Sequence, residues 1–168
     1  TEVYRGDQGD GGYGVSPSVY RDKDGVVEAV TISRPLDTFR SETWWVRDGR
    51  PVMLRLPERV AVHGMLKGSL IFSNEQAWQW AGTAIRPASL IALGLTELVQ
   101  PTDGLGDIHC IADCTDFAVF EPGPRQSLQQ VSVVGDRLVA AISDNVVGEL
   151  RAFELVHRGR SQDWIGSE

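Results

Sequence analysis

Apolar residues along this chain come in short runs. Most alternate with polar ones, and each run stops within about ten residues at Gly, Asp, Asn or Pro. Ser18 to Arg21 leads into Asp22-Lys23-Asp24-Gly25 and then Val26 to Ser33, rich in β-branched residues, which spells strand, tight turn, strand. Thr43 to Val46 follows, turned at Asp48-Gly49 and returned by Pro51 to Leu56, where Val52, Leu54 and Leu56 alternate with Met53 and Arg55. Arg59 to His63, Lys67-Gly68 and Ser69 to Ser73 repeat the unit, and Ala88 to Leu95 adds another apolar run. Ile108 to Cys114 and Phe117 to Phe120 are weaker strands. Gln130 to Val134, Leu138 to Ser143 and Gly148 to Val156 close the series, with turns at Gly135-Asp136 and Asp144-Asn145. A helical period fits only Glu75 to Ala81 and Leu95 to Val99.

These runs predict an all-β chain of sequential hairpins. The hairpin rhythm matches four-stranded antiparallel units of about 40–50 residues, as in propeller blades. A chain of 168 residues then holds about three to four of them. Periodicity alone leaves a small propeller and a sandwich both open. The strands fill residues 1–157, and the polar stretch 158–168 reads as a tail.

Charge narrows the partners. Sixteen Lys and Arg against 23 Asp and Glu give a net charge of −7, which disfavours a nucleic-acid backbone as ligand. No apolar run approaches the roughly 20 residues of a membrane span. The acidic, Gly-rich start is unlike a secretory leader, and a start without Met, inside a strand, points to a piece of a longer protein. Cys110 and Cys114 are spaced C-x3-C, not the C-x2-C of zinc ribbons or redox motifs, and read as plain thiols, with a local disulfide or oxidation-sensitive pair as the alternative.

Candidate chemistry is sparse. The available bases are His63, His109 and His157. His63 alternates with Val60 and Val62, His109 and Cys110 point to opposite faces of one strand, and all three read as structural. Asp7 to Gly12 and Asp22 to Gly25 place oxygen donors near Gly without the spacing of a calcium loop, and hairpin turns demand the same residues. No metal, cofactor or catalytic residue is assigned. Trp44 and Trp45 face opposite sides of a strand. Trp78 and Trp80, two apart beside Gln76 and Gln79, are candidates for a ligand-facing surface or for ordinary packing. Arginines number fourteen against two lysines, Lys23 and Lys67. Arg125 joins Trp78 and Trp80 as a ligand- or interface-facing candidate, because Arg favours carboxylate contacts.

Several phrases, taken in order, carry a resemblance. They are Ser16-Pro17-Ser18-Val19-Tyr20-Arg21-Asp22, Ile32-Ser33-Arg34-Pro35, Thr38-Phe39-Arg40-Ser41-Glu42-Thr43-Trp44, Pro122-Gly123-Pro124-Arg125-Gln126-Ser127-Leu128 and Asp144-Asn145-Val146. From about Val15 to Phe153 the chain resembles the N-terminal β-propeller of the prolyl oligopeptidase family. The resemblance implies a partial propeller whose parent joins an α/β-hydrolase domain carrying Ser, Asp and His and cleaves short proline-containing peptides. The propeller of that family breaks no bond; it gates access. A nucleophile elbow should read G-x-S-x-G. Gly14-Val15-Ser16-Pro17-Ser18 fails its last position, so the hydrolase domain is missing here. The implied partners are that domain and the parent's peptide substrates, with a homodimer to hide the cut faces. The alternative is an autonomous β-rich binding module formed by self-association. A cytoplasmic location is the default for the family, and an exported parent would carry its signal upstream of Thr1.

Overall fold

The computed structural model describes residues 5, 14–80, 82–99, 117–158 and 161–167, with side chains described as far as residue 154. His109, Cys110, Cys114 and the strand expected over Ile108 to Cys114 lie outside the described residues.

The first sheet is a meander of β1 (Ser16–Arg21), β2 (Val27–Pro35), β3 (Ser41–Arg47) and β4 (Arg50–Met53), each strand pairing antiparallel with the next. Its first turn is built by one carboxylate. Asp22 Oδ1 accepts the N–H groups of Asp24 and Val26, both at 2.9 Å, and Gly25 takes the left-handed backbone (φ 81°) that closes the turn.

The second sheet begins with β5 (Val60–Leu66) and β6 (Ser69–Asn74). The chain then leaves as a separate hairpin of β7 (Trp78–Trp80) and β8 (Thr83–Ile85). It returns through β9 (Leu90–Gly94), a single helical turn α1 (Leu95–Leu98), and β10 (Ala118–Phe120). The sheet order is β5-β6-β9-β10. The helical turn expected over Glu75 to Ala81 is corrected: within it Trp78–Trp80 forms a strand of a hairpin. Trp78 and Trp80 stack with ring centroids 5.1 Å apart, and a spacing of two places both rings on one face only in a strand.

The third sheet runs β11 (Gln126–Val134), β12 (Arg137–Asp144), β13 (Val147–Arg158) and β14 (Ser161–Ser167), again in sequence order. The stretch expected as a polar tail from Arg158 therefore carries a fourth strand, with Glu154 opposite Ile165 and Arg158 opposite Ser161. Polar composition hid it: the last strand of a sheet order pairs on one side only and needs no apolar run to be held.

The sheets stack face to face through two cores. Between the first and second sheets, Ala29 of β2 meets Leu70 and Phe72 of β6, Ile91 and Leu93 of β9, and Leu95 and Leu98 of α1, with Trp45 and Tyr20 packed against them. Between the second and third, Ile71, Leu90 and Ala92 meet Val131, Leu138, Ala140, Ile142 and Phe153. Alternation along β6 and β9 therefore sends successive side chains into two different cores. The first strands gather on one side of the stack, where β5 touches both β1 and β11. The approach is close: a Cβ on Gly64 of β5 would lie 3.0 Å from Val133 Cγ2 of β11. Three stacked meanders with converging first strands are the arrangement of three blades in an open β-propeller.

Candidate functional site

The sheets part at one end. There a cleft of about 400 Å³ opens between β5 and β6 on one side and the start of β11 on the other. The face of the second sheet that carries Ile71 deeper in the core here carries polar residues. His63 Nε2 and Ser73 Oγ lie 2.9 Å apart, and burial pushes the His63 ring below the usual histidine pKa, which keeps it neutral near pH 7. Across from them stand Leu128, Gln129, Gln130 and Val131. Glu75 and the Pro87-Ala88 loop form the rim.

The rim is fixed by Asn74, which is fully buried. Its amide donates to the carbonyls of Gln76 (2.8 Å) and Arg86 (2.9 Å), and its side-chain oxygen accepts from Ser89 N–H at 3.1 Å. Its backbone carbonyl accepts from Ala88 N–H at 2.6 Å. One side chain thus pins both ends of the β7–β8 excursion, and no polar atom of it is left unpaired.

A hydroxyl beside an imidazole raises the question of nucleophilic chemistry. Ser73 sits inside a strand that is paired on both sides, opposite Ala61 on one and Leu90 on the other. A nucleophile serine of the hydrolase type stands on a sharp strand-to-helix turn, with free N–H groups beside it to hold an oxyanion. The geometry at Ser73 supplies a hydrogen-bonded wall instead. At the opposite end, the turns after β1, β5 and β11 enclose a smaller hollow of about 240 Å³ lined by groups of both signs, among them Asp22, Lys23, Lys67 and Asp136. Among the described residues no cluster of three or more His, Cys, Asp or Glu could hold a metal ion.

The residues singled out from sequence stand on different sheets. Trp80 is buried (5% exposed) in the core between the first two sheets. Arg55 lies over its ring at 4.9 Å and donates from Nη2 to Glu97 O at 3.2 Å, tying the end of the first sheet to α1. Trp78 is half-buried against the same core, edge-on to Phe72 at 5.8 Å. Arg125 is exposed before β11, with Nε 3.9 Å from an Asp144 carboxylate oxygen. Trp44 and Trp45 do point to opposite faces, Trp45 toward the inter-sheet core. His157 lies in β13. Ser73 and Glu75 of the cleft escaped the sequence reading, because single polar residues at the ends of apolar runs look like strand ends.

The chain is similar in fold to part of a post-proline cleaving enzyme. Over 92% of its length it matches 22% of the post-proline cleaving enzyme of Rickettsia typhi, with a TM-score of 0.70 and 17% sequence identity. No family model and no curated protein sequence matches the chain. The resemblance to the prolyl oligopeptidase family, first carried by scattered phrases such as Ser16 to Asp22, thus holds at the level of fold. The chain spans under a quarter of the length of that post-proline cleaving enzyme.

Proposed function

We propose that this chain is a non-catalytic propeller section of a prolyl oligopeptidase-type serine peptidase. It walls and gates the approach to a hydrolase domain carried elsewhere in the parent, which cleaves short proline-containing peptides. The observation that supports this reading most is the stack itself: three blades in sequence order that match a post-proline cleaving enzyme over 92% of the chain. A wall of rigid, face-packed sheets restricts substrate by size and leaves bond breaking to the domain behind it. A fluorophosphonate probe tests the division of labour. The chain alone is expected to label at no serine, and the full-length gene product at one serine outside these 168 residues. Stoichiometric labelling of Ser73 or any other serine here would overturn the proposal.

A second reading, a binding module completed by self-association, is favoured by the outer face of the third sheet. Val134 (59% exposed) and Leu150 (68% exposed) stand beside the half-buried Val139, Ala141 and Ala152. This is the kind of surface that faces another sheet inside the stack. It predicts a dimer by light scattering that Leu150→Asp returns to monomer. A monomer at all concentrations sinks this reading.

A further inference from the structure

The loop between β2 and β3 is bonded throughout. Asp37 Oδ1 accepts the N–H groups of Phe39 and Arg40 at 2.8 Å, and its Oδ2 receives Arg40 Nε at 2.7 Å. Arg40 Nη1 reaches on to Glu58 Oε2 at 3.3 Å. Leu36 N–H donates to Arg40 O, and Ser41 N–H to Glu58 O, both at 2.8 Å. Each bond removes freedom from a segment that could otherwise swing. What they hold in place is a ring in water. Phe39 is 70% exposed, and it is the only exposed aromatic among the described side chains. It belongs to neither core. Its ring meets the guanidinium of Arg59, 5.7 Å from the centroid. Among the described residues no carboxylate pairs with Arg59, because Asp37 and Glu58 are both engaged by Arg40. The loop therefore presents an apolar ring beside an uncompensated positive charge, on a chain whose net charge is −7.

This pair stands beside the cleft. Arg59 O accepts Glu75 N–H at 2.9 Å, and Glu75 lies on the cleft rim. The mouth is held open by irregular strands. β5 slips register between Val62 and Gly64, which leaves His63 without a cross-strand position, and β11 slips between Leu128 and Gln130, which does the same to Gln129. Such slips bend a strand and gather beside functional sites. The opposite end of the stack carries short polar turns at Asp22 to Gly25, Asp48-Gly49, Lys67-Gly68 and Gly135-Asp136, with Val26 exposed beside the first. Phe39 lines neither hollow of the molecule. A ring that stands out from the surface is complemented by a pocket on another protein surface. Aromatic and arginine anchors carry much of the energy of protein interfaces, and a loop already fixed loses little freedom on docking.

We propose that the hydrolase domain of the parent docks on Phe39 and Arg59, with the ring in an apolar pocket of that domain and the guanidinium on one of its carboxylates. The proposal rests on the reading of the chain as a peptidase propeller section, and it turns the end where the cleft opens toward the catalytic serine. Residue-resolved hydroxyl-radical footprinting of the isolated chain and of the full-length gene product tests it. Phe39 should oxidise at least about fivefold more slowly in the full-length product, as a desolvated anchor does, and Val26 at the same rate in both. Arg59→Glu, at an exposed position, should restore much of the lost oxidation, because it sets a like charge against the partner's carboxylate. With Phe39 replaced by benzoylphenylalanine, photo-crosslinking of the full-length product should capture the domain that carries the fluorophosphonate-labelled serine. A labelled serine together with equal oxidation of Phe39 in both proteins overturns the docking surface and leaves the peptidase reading standing. Protection of Val26 in place of Phe39, or a crosslink to another propeller blade, overturns it as well. Protection of Phe39 in a product without a reactive serine sinks the peptidase reading, and the proposal with it, since the domain covering the ring is then no hydrolase.

Discussion

β6 and β12 hold the same place, second strand of a four-stranded meander, and both are apolar in sequence, yet they are buried differently. In β6, Leu70, Ile71, Phe72, Ser73 and Asn74 are buried in succession. In β12, Leu138, Ala140 and Ile142 are buried while Val139 and Ala141 stay half-exposed. The difference lies in neighbours. β6 has a sheet against each face, so odd and even side chains both find a core. β12 has a described sheet against one face only. Burial in a stacked fold is thus a property of position in the stack more than of the strand's own composition.

The contrast breaks most easily at its two extremes. Phe72→Ala removes a fully buried ring from the core between the first and second sheets, and a loss of about 3–5 kcal/mol is expected in urea unfolding. Leu150→Ala, on the outer face of the third sheet, should change the stability of the monomer by no more than about 0.5 kcal/mol. Equal losses would mean that the outer face is covered in solution and that β12 differs from β6 in appearance only.

A smaller effect probes the convergence of the first strands. Gly64 has a φ of 149°, and an added Cβ would meet Val133 Cγ2 at 3.0 Å. Gly64→Ala is expected to cost about 1–3 kcal/mol from crowding and backbone strain together. Adding Val133→Ala should recover the crowding part and leave the strain. Full tolerance of Gly64→Ala would show that β5 and β11 are not held together as described.

Much of this architecture was legible before any coordinates. Turn residues at Asp22 to Gly25, Asp48-Gly49, Lys67-Gly68 and Gly135-Asp136 mark hairpins, because left-handed backbone selects few residue types, and the structure places turns at all four. What failed to show was whatever depends on a neighbour far along the chain. β14 lacks an apolar run because an edge needs none. The β7–β8 hairpin was obscured by tryptophans whose partners, Phe72 and Arg55, lie outside the local window. The cleft was invisible because it is made of irregularities, a slipped register at His63 and another at Gln129, and a bulge leaves no mark in a hydrophobic pattern.

The smallest effect separates the cleft from the surface by pH. Burial holds the His63 ring below its usual value of 6.5 in the folded chain. The unfolded chain therefore takes up the proton first as pH falls. Stability should decline from about pH 6.5 downward, level off once the folded ring also titrates, and show no contribution from this group above pH 7. Asp37 works in a different window. Its carboxylate receives Arg40 Nε at 2.7 Å and the N–H groups of Phe39 and Arg40 at 2.8 Å, which lowers it from 3.8 to about 2. What it contributes is present above its unfolded value and is lost only as pH falls toward 2. His63→Gln, which keeps a hydrogen-bonding group near Ser73, should flatten the stability profile just below pH 6.5 and leave the steeper fall under pH 4 unchanged. Asp37→Asn should do the reverse. A slope below pH 6.5 that survives His63→Gln would place its origin outside the cleft, because the ring that lines it would no longer be there to titrate.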